Sequence, residues 1–150
     1  MNANLARQHG LLDPASKPLR LAFGLACAER VQHLVEDPRA LEGLAVLRAF
    51  VTGGADEAAL HGAAQELAQV ATSHRGSNSV DGSAHAAVSA TYAVANALAG
   101  RAVEASEYAA YAAVYAYGGY AVNDLASFEP EIAWQVERLS QLARQLDPAG

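Results

Sequence analysis

The sequence predicts an all-α fold, a single compact bundle or short helical-hairpin array of about six antiparallel helices, and three observations predict it. Alanine fills 36 of the 150 positions, and alanine is the best helix former. Hydrophobic residues make up 52% of the chain but aromatic ones only 7%, so strand-favouring side chains are sparse. Apolar residues recur every three to four positions through most of the chain, the period of a helix with one buried face. The length suits one domain, read as an N-terminal arm over residues 1–15 and an all-helical domain over 16–150.

Residues 1–15 show no sustained period and are read as an arm or a short turn of helix. Ser16 offers a cap before Pro18, and Leu21, Leu25, Ala28, Val31 and Val35 set the inner face of a first helix over 19–36. Asp37 and Pro38 stop it and start the second, because Asp caps and Pro suits the first helical position. The second helix carries Leu41, Leu44, Leu47 and Val51 inward and breaks at Gly53-Gly54. A third begins near Ala55, with Leu60, Ala63, Ala64, Leu67, Ala71 and His74 in one stripe. Residues 74–82 are rich in turn formers and read as the one substantial loop. The fourth helix runs from Ser83 to Leu98 and ends at Gly100. The fifth, over 103–125, holds every tyrosine but Tyr92, and its Gly118-Gly119 permits a kink or a close approach of another backbone. The sixth starts at Glu129-Pro130 with Ile132, Val136, Leu139, Ala143 and Leu146 inward.

A net charge of −6 argues against nucleic-acid binding, which needs a cationic face for phosphate, and fits a soluble protein with a basic partner. The lone Cys27 sits in a helical stretch and reads as a small buried apolar residue. The first 18 residues hold Arg7 and Asp13 without an apolar run, so a secretory signal is not expected and the cytoplasm is. Gly82 to Gly100 carries no formal charge, yet Ser83, His85, Ser89, Thr91 and Asn96 make it a buried soluble helix rather than a membrane span.

Metal and cofactor sites are not expected. A di-iron bundle wants Glu-x-x-His pairs on facing helices, and neither Glu104-x-x-Glu107 nor Glu57-x-x-x-His61 supplies them. His74, Arg75, Ser79, Asp81 and His85 place a base, an acid and a hydroxyl in a short span. His85, Ser89, Tyr92 and Asn96 share one face of the fourth helix at spacings of four, three and four. These groups either line a small polar pocket or bond one another and backbone carbonyls, and the second reading is favoured because no nucleophile signature accompanies them.

On the fifth helix Tyr108, Tyr111 and Tyr115 fall on one side and Tyr117 and Tyr120 roughly opposite. Either the helix is central and buried all round, or one set reaches a groove or partner. The near lack of charge from Tyr108 to Asn123 favours central burial. Trp134 lies on the polar side of the sixth helix, where it packs on a neighbouring element or anchors a partner. Arg138, one turn on, is placed to stack on its ring.

Several segments together resemble a known family. Leu25-Ala26-Cys27-Ala28-Glu29-Arg30-Val31, then Asp37-Pro38-Arg39, then Ala45-x-x-x-Ala49-Phe50 with its Gly-containing break, the alanine-rich middle, and Trp134-Gln135-Val136-Glu137-Arg138-Leu139 are similar to the Imm5-like family of bacterial immunity proteins. The likeness runs over roughly residues 19–142, and the order of segments carries it. It implies a small all-α antidote to a polymorphic toxin, hence protein binding rather than catalysis.

Three functions follow. The first is an immunity protein that binds a cognate toxin, a basic one such as a nuclease suiting the charge, through Trp134, Glu137 and Arg138 with Tyr117 and Tyr120 as a second group. The second is a helical small-molecule binder or small biosynthetic enzyme with a pocket of His74, His85, Tyr92, Asn96 and Tyr115, in which His74, His85 and Tyr92 would be the catalytic groups. The third is a homodimer with its seam on the tyrosine face or Trp134. The resemblance favours the first.

Overall fold

A computed structural model describes residues 3–73 and 83–147, apart from the side chains of Ser83, Ala84, Gly119 and Tyr120. Among the described residues there are seven α-helices and no strand: α1 (Ala3–Leu12), α2 (Lys17–Arg30), α3 (Pro38–Val51), α4 (Glu57–Ser73), α5 (Ser83–Leu98), α6 (Ala102–Tyr117) and α7 (Glu129–Leu146). Short 3₁₀ turns cover Gln32–Leu34, Gly119–Asn123 and Leu125–Phe128. The all-helical class is as the sequence predicts, with one helix more than the six expected. The added one is α1, which occupies most of the stretch read as an arm or a turn of helix.

The caps explain the well-placed starts. Ser16 accepts the Leu19 amide at 3.2 Å ahead of α2, and Asp37 accepts the Arg39 amide at 2.9 Å ahead of α3. Each satisfies an amide that the first turn leaves without a helical partner. Asp56 does the same for Ala59 at 2.8 Å at the start of α4. The predicted first helix is shorter than expected, because after Arg30 the chain tightens into a 3₁₀ turn and then extends at Val35. The predicted fifth helix also ends early. Gly118 takes φ +151°, a conformation that other side chains rarely adopt, so α6 stops at Tyr117 and 3₁₀ turns fill the way to α7.

α2 lies at the centre, packed on α3, α5, α6 and α7, while α5 and α6 form a tight hairpin closed by Gly100 at φ +76°. The seam is built from small residues. Ala90, Ala93 and Ala97 of α5 and Ala105, Ala109 and Ala112 of α6 are all buried. Opposite them Gly24 lets α2 approach so closely that a Cβ there would stand 3.2 Å from the Cα of Ala97. Around this seam Phe23, Leu44, Leu47, Leu67 and Leu139 fill the larger spaces.

Because alanines occupy the inside of α6, its tyrosines do not. Tyr108, Tyr111 and Tyr117 are exposed, which corrects the expectation of a helix buried all round. Leu41 and Val51 are also exposed, so the inner face of α3 is narrower than its leucine spacing implies. On α7, Val136, Leu139 and Leu142 are buried but Ile132 and Ala143 only half-buried, and Leu146 is exposed. Polar Glu131, Gln135 and Ser140 are buried instead, because they bond to partners outside α7 or to its own backbone. Gln8 donates to Gln135 Oε1 at 2.7 Å, Gln135 donates to the Ser106 carbonyl at 2.9 Å, and Arg7 donates to Ser140 at 3.3 Å. The first and third dock α1 along α7, and the second ties α7 to α6.

The chain ends of the bundle are tied as well. The Asp147 carboxylate accepts the Ser16 amide at 2.8 Å and also the Ser16 hydroxyl, while that hydroxyl oxygen caps α2. These bonds hold the Asp147 carboxyl below its ordinary value.

Two outcomes follow from this packing. Gly24→Val overfills the contact with Ala97 and should cost on the order of 1–3 kcal/mol, lowering the calorimetric melting temperature by roughly 2–4 °C per kcal/mol. An unchanged melt would contradict the close approach of α2 and α5. A carboxyl whose folded pKa is lowered stabilises above its unfolded value and loses that contribution as pH falls through the folded one. The melting difference between wild type and Asp147→Ala should therefore be constant at neutral pH and close below the ordinary carboxyl value of 3.8. A difference that persists in acid would show that the carboxylate charge is not what Ser16 uses.

Candidate functional site

The last turn of α2 and the first of α7 meet through one ion pair. Arg30 donates from Nε to Glu131 Oε1 at 2.8 Å and from Nη2 to Oε2 at 3.1 Å, a two-pronged contact that fixes the plane of the guanidinium. Glu131 is 10% exposed at its side chain and Arg30 35%, so the carboxylate is the buried partner. The hydrogen bonds to Glu131 hold the Arg30 guanidinium above its ordinary pKa. Trp134, one turn on from Glu131, lies with its ring centroid 4.4 Å from the same guanidinium. Cys27, one turn before Arg30, is fully buried, and burial pushes its thiol up. Tyr117 lies within electrostatic reach of Arg30, and together with Arg30, His33 and Glu131 it lines a shallow recess of about 280 Å³. It is 77% exposed.

Trp134 is half-buried, and the cation over it is Arg30 of α2, not Arg138. Arg138 instead donates to Gln141 at 3.2 Å, and Glu137 accepts from the same Gln141 at 3.4 Å. The side chain of Tyr120 lies outside the described residues, as does all of His74.

The other group comes together as ring stacks. His85 is exposed and stacks on Tyr115 with centroids 5.1 Å apart, and Tyr92 stacks on Tyr108 at 5.0 Å. Asn96 donates to the Tyr92 carbonyl at 2.9 Å. Tyr111 continues the row, 6.2 Å from Tyr115 and edge-on to Phe128 at 5.2 Å. Beside Tyr111 and Phe128 opens a groove of about 590 Å³ between α1, α6, the 3₁₀ turn and α7, with Leu5, Leu125 and Ile132 on its walls and Gln8, Ser106 and Gln135 on its floor. Leu125 is 84% exposed.

Residues 10–142 match the family described as "Imm-5 like putative immunity protein". The chain belongs to this family. No curated protein and no solved structure matches it. The match runs from the end of α1 through most of α7, so α2 to α6 fall wholly inside the family's region.

Within this immunity-protein family member, the segments Cys27–Arg30 and Trp134–Leu139 are held together by the Arg30 clasp. Far apart in sequence, they are neighbours because α2 and α7 pack side by side. Among the described residues no group of three or more His, Cys, Asp and Glu could hold a metal ion, and no helix is long and apolar enough to cross a membrane.

Reading the sequence missed the groove and the acidic row beside it. Glu104, Glu107, Tyr108, Tyr111 and Tyr115 share the outer face of α6 at helical spacing, a pattern that was legible once the inner face was assigned to alanine. Leu125 and Phe128 carried no such signal, since their exposure depends on the early end of α6.

The clasp is open to test. Water screens the exposed part of Arg30, so Glu131→Ala should cost on the order of 2 kcal/mol. It should also free Arg30 from its plane over the only tryptophan and shift the emission maximum to longer wavelength. An unchanged spectrum and melt would mean that Glu131 does not hold the clasp.

Proposed function

We propose that this chain binds a bacterial toxin and neutralises it, acting as a binding protein rather than a catalyst. Family membership over residues 10–142 carries the reading. The geometry supports it by offering a firm surface with aromatic groups at the end where α6 and α7 meet. Tyr117 stands out of that end, and the Trp134 ring is fixed against Arg30. The Trp134 ring, already held by Arg30, loses little freedom on binding, so more of its contact energy is left as affinity. Tyrosine and tryptophan suit such contacts because each joins a large apolar body to a polar tip. Glu137 and Arg138 belong to the same proposed surface, on the turn of α7 after Trp134. The net charge of −6 speeds encounter with a cationic partner.

Neutralisation then needs no chemistry from this chain. Occupying the toxin's working surface, or holding it in an inactive shape, suffices. The test is co-expression in a sensitive bacterium with the toxin encoded beside this gene. Survival of the cells and purification of both chains as one stoichiometric complex is the expected result. Cell death with this chain folded and abundant would overturn the reading.

A further inference from the structure

The outer face of α6 and the groove beside it ask for a particular partner. Glu104 and Glu107 are exposed, and neither makes an ion pair among the described residues. Tyr108 and Tyr111 lie next to them at 36% and 44% exposure. The groove adds apolar walls at Leu5, Leu125 and Ile132. On its floor Gln8 donates to Gln135, and Gln135 donates in turn to the Ser106 carbonyl. The walls are fixed too. Asp124 accepts the Ala126 amide at 3.0 Å and sets the turn that holds Leu125 out, while Phe128 sits edge-on to Tyr111.

We infer that this face docks a cationic amphipathic helix of a partner protein, with leucine-like side chains in the groove and arginines over Tyr108 and Tyr111 and against Glu104 and Glu107. This deepens the toxin-binding reading, on which it rests, by adding to the Tyr117–Trp134 end a further contact along α6 and the flank of α7 that bears Ile132. A helix laid in an apolar groove is a recurrent recognition mode. Tyrosine faces attract guanidinium groups, as Trp134 attracts Arg30 in this same molecule. A second copy of the chain fits poorly, because a two-fold pairing of this face would set its carboxylates against themselves. Phosphate-bearing ligands are repelled for the same reason.

The experiment titrates the full chain with a synthetic amphipathic peptide bearing leucine on one face and arginine on the other, and with its glutamate counterpart, followed by NMR. Amide shifts should centre on Leu5, Tyr111, Phe128 and Ile132 and saturate. Affinity should fall about tenfold in Tyr111→Ala and several-fold in Glu107→Gln, weaken with salt, and vanish for the glutamate peptide. Glu107 is exposed, so that variant tests the surface even where Tyr111→Ala disturbs folding. Absent binding, shifts centred elsewhere, or equal binding of the glutamate peptide would overturn the inference. The co-expression assay separates the two readings. Rescue that survives both variants sinks the surface and leaves neutralisation standing, whereas peptide docking without any rescue sustains the surface and sinks neutralisation.

Discussion

The contact of Gly24 with Ala97 sets the terms for the rest of the molecule. Two helices can approach this closely only if neither carries a bulky side chain at the crossing, and the chain meets that condition with glycine on α2 and alanine on α5. The hairpin partner α6 follows suit with alanines along its inner face. A seam of small residues stabilises less per residue than a leucine core, since buried apolar area is what folding gains. The larger side chains therefore do their work around the seam, where Phe23, Leu44, Leu67 and Leu139 fill the spaces between α2 and its outer neighbours. The tyrosines of α6, excluded from the seam, are left on the outside.

Ion pairing completes what the thin core begins. Arg30 and Glu131 join the end of α2 to the start of α7 where the chain between α6 and α7 is only 3₁₀ turns. A partly buried carboxylate is costly alone and is tolerated because two guanidinium bonds satisfy it. Ser16 and Asp147 make the matching tie at the opposite ends of the same two helices. The long axis of α7 is thus fixed against α2 at both ends by polar groups.

These polar ties explain where the sequence was legible and where it was not. The starts of α2 and α3 were readable from Ser16 and Asp37, since capping is a local rule, and that of α5 from the run of turn formers before Ser83. The end of α6 was hidden because Gly118-Gly119 can serve as a kink or a stop, and only tertiary packing selects between them. The inward face of α7 was misjudged at Glu131, Gln135 and Ser140 because burial of a polar group depends on partners far along the chain. Gln135 is buried because Gln8 and the Ser106 carbonyl are there to meet it, and no window around residue 135 contains either. For the same reason Trp134 read as a companion of Arg138, its neighbour in sequence, while its cation comes from α2. Of the candidate surface, the tyrosine spacing on α6 was legible and the groove was not, since the groove is made by four separate elements.

The groove also has a physical reason to remain open. Apolar walls that could close on each other ordinarily do so, because that removes surface from water. Here α1 is held along α7 by the Gln8–Gln135 amide bond at 2.7 Å and by Arg7 on Ser140. Sliding α1 toward Tyr111 and Leu125 would stretch that bond and leave the buried Gln8 donor and Gln135 acceptor unpaired, a cost of roughly 1–3 kcal/mol each. Closing the groove would recover only part of the area of a few side chains, at about 25 cal/mol per Å². The polar docking of α1 therefore opposes collapse, and hydrogen-bond geometry sets how far apart the apolar walls stand.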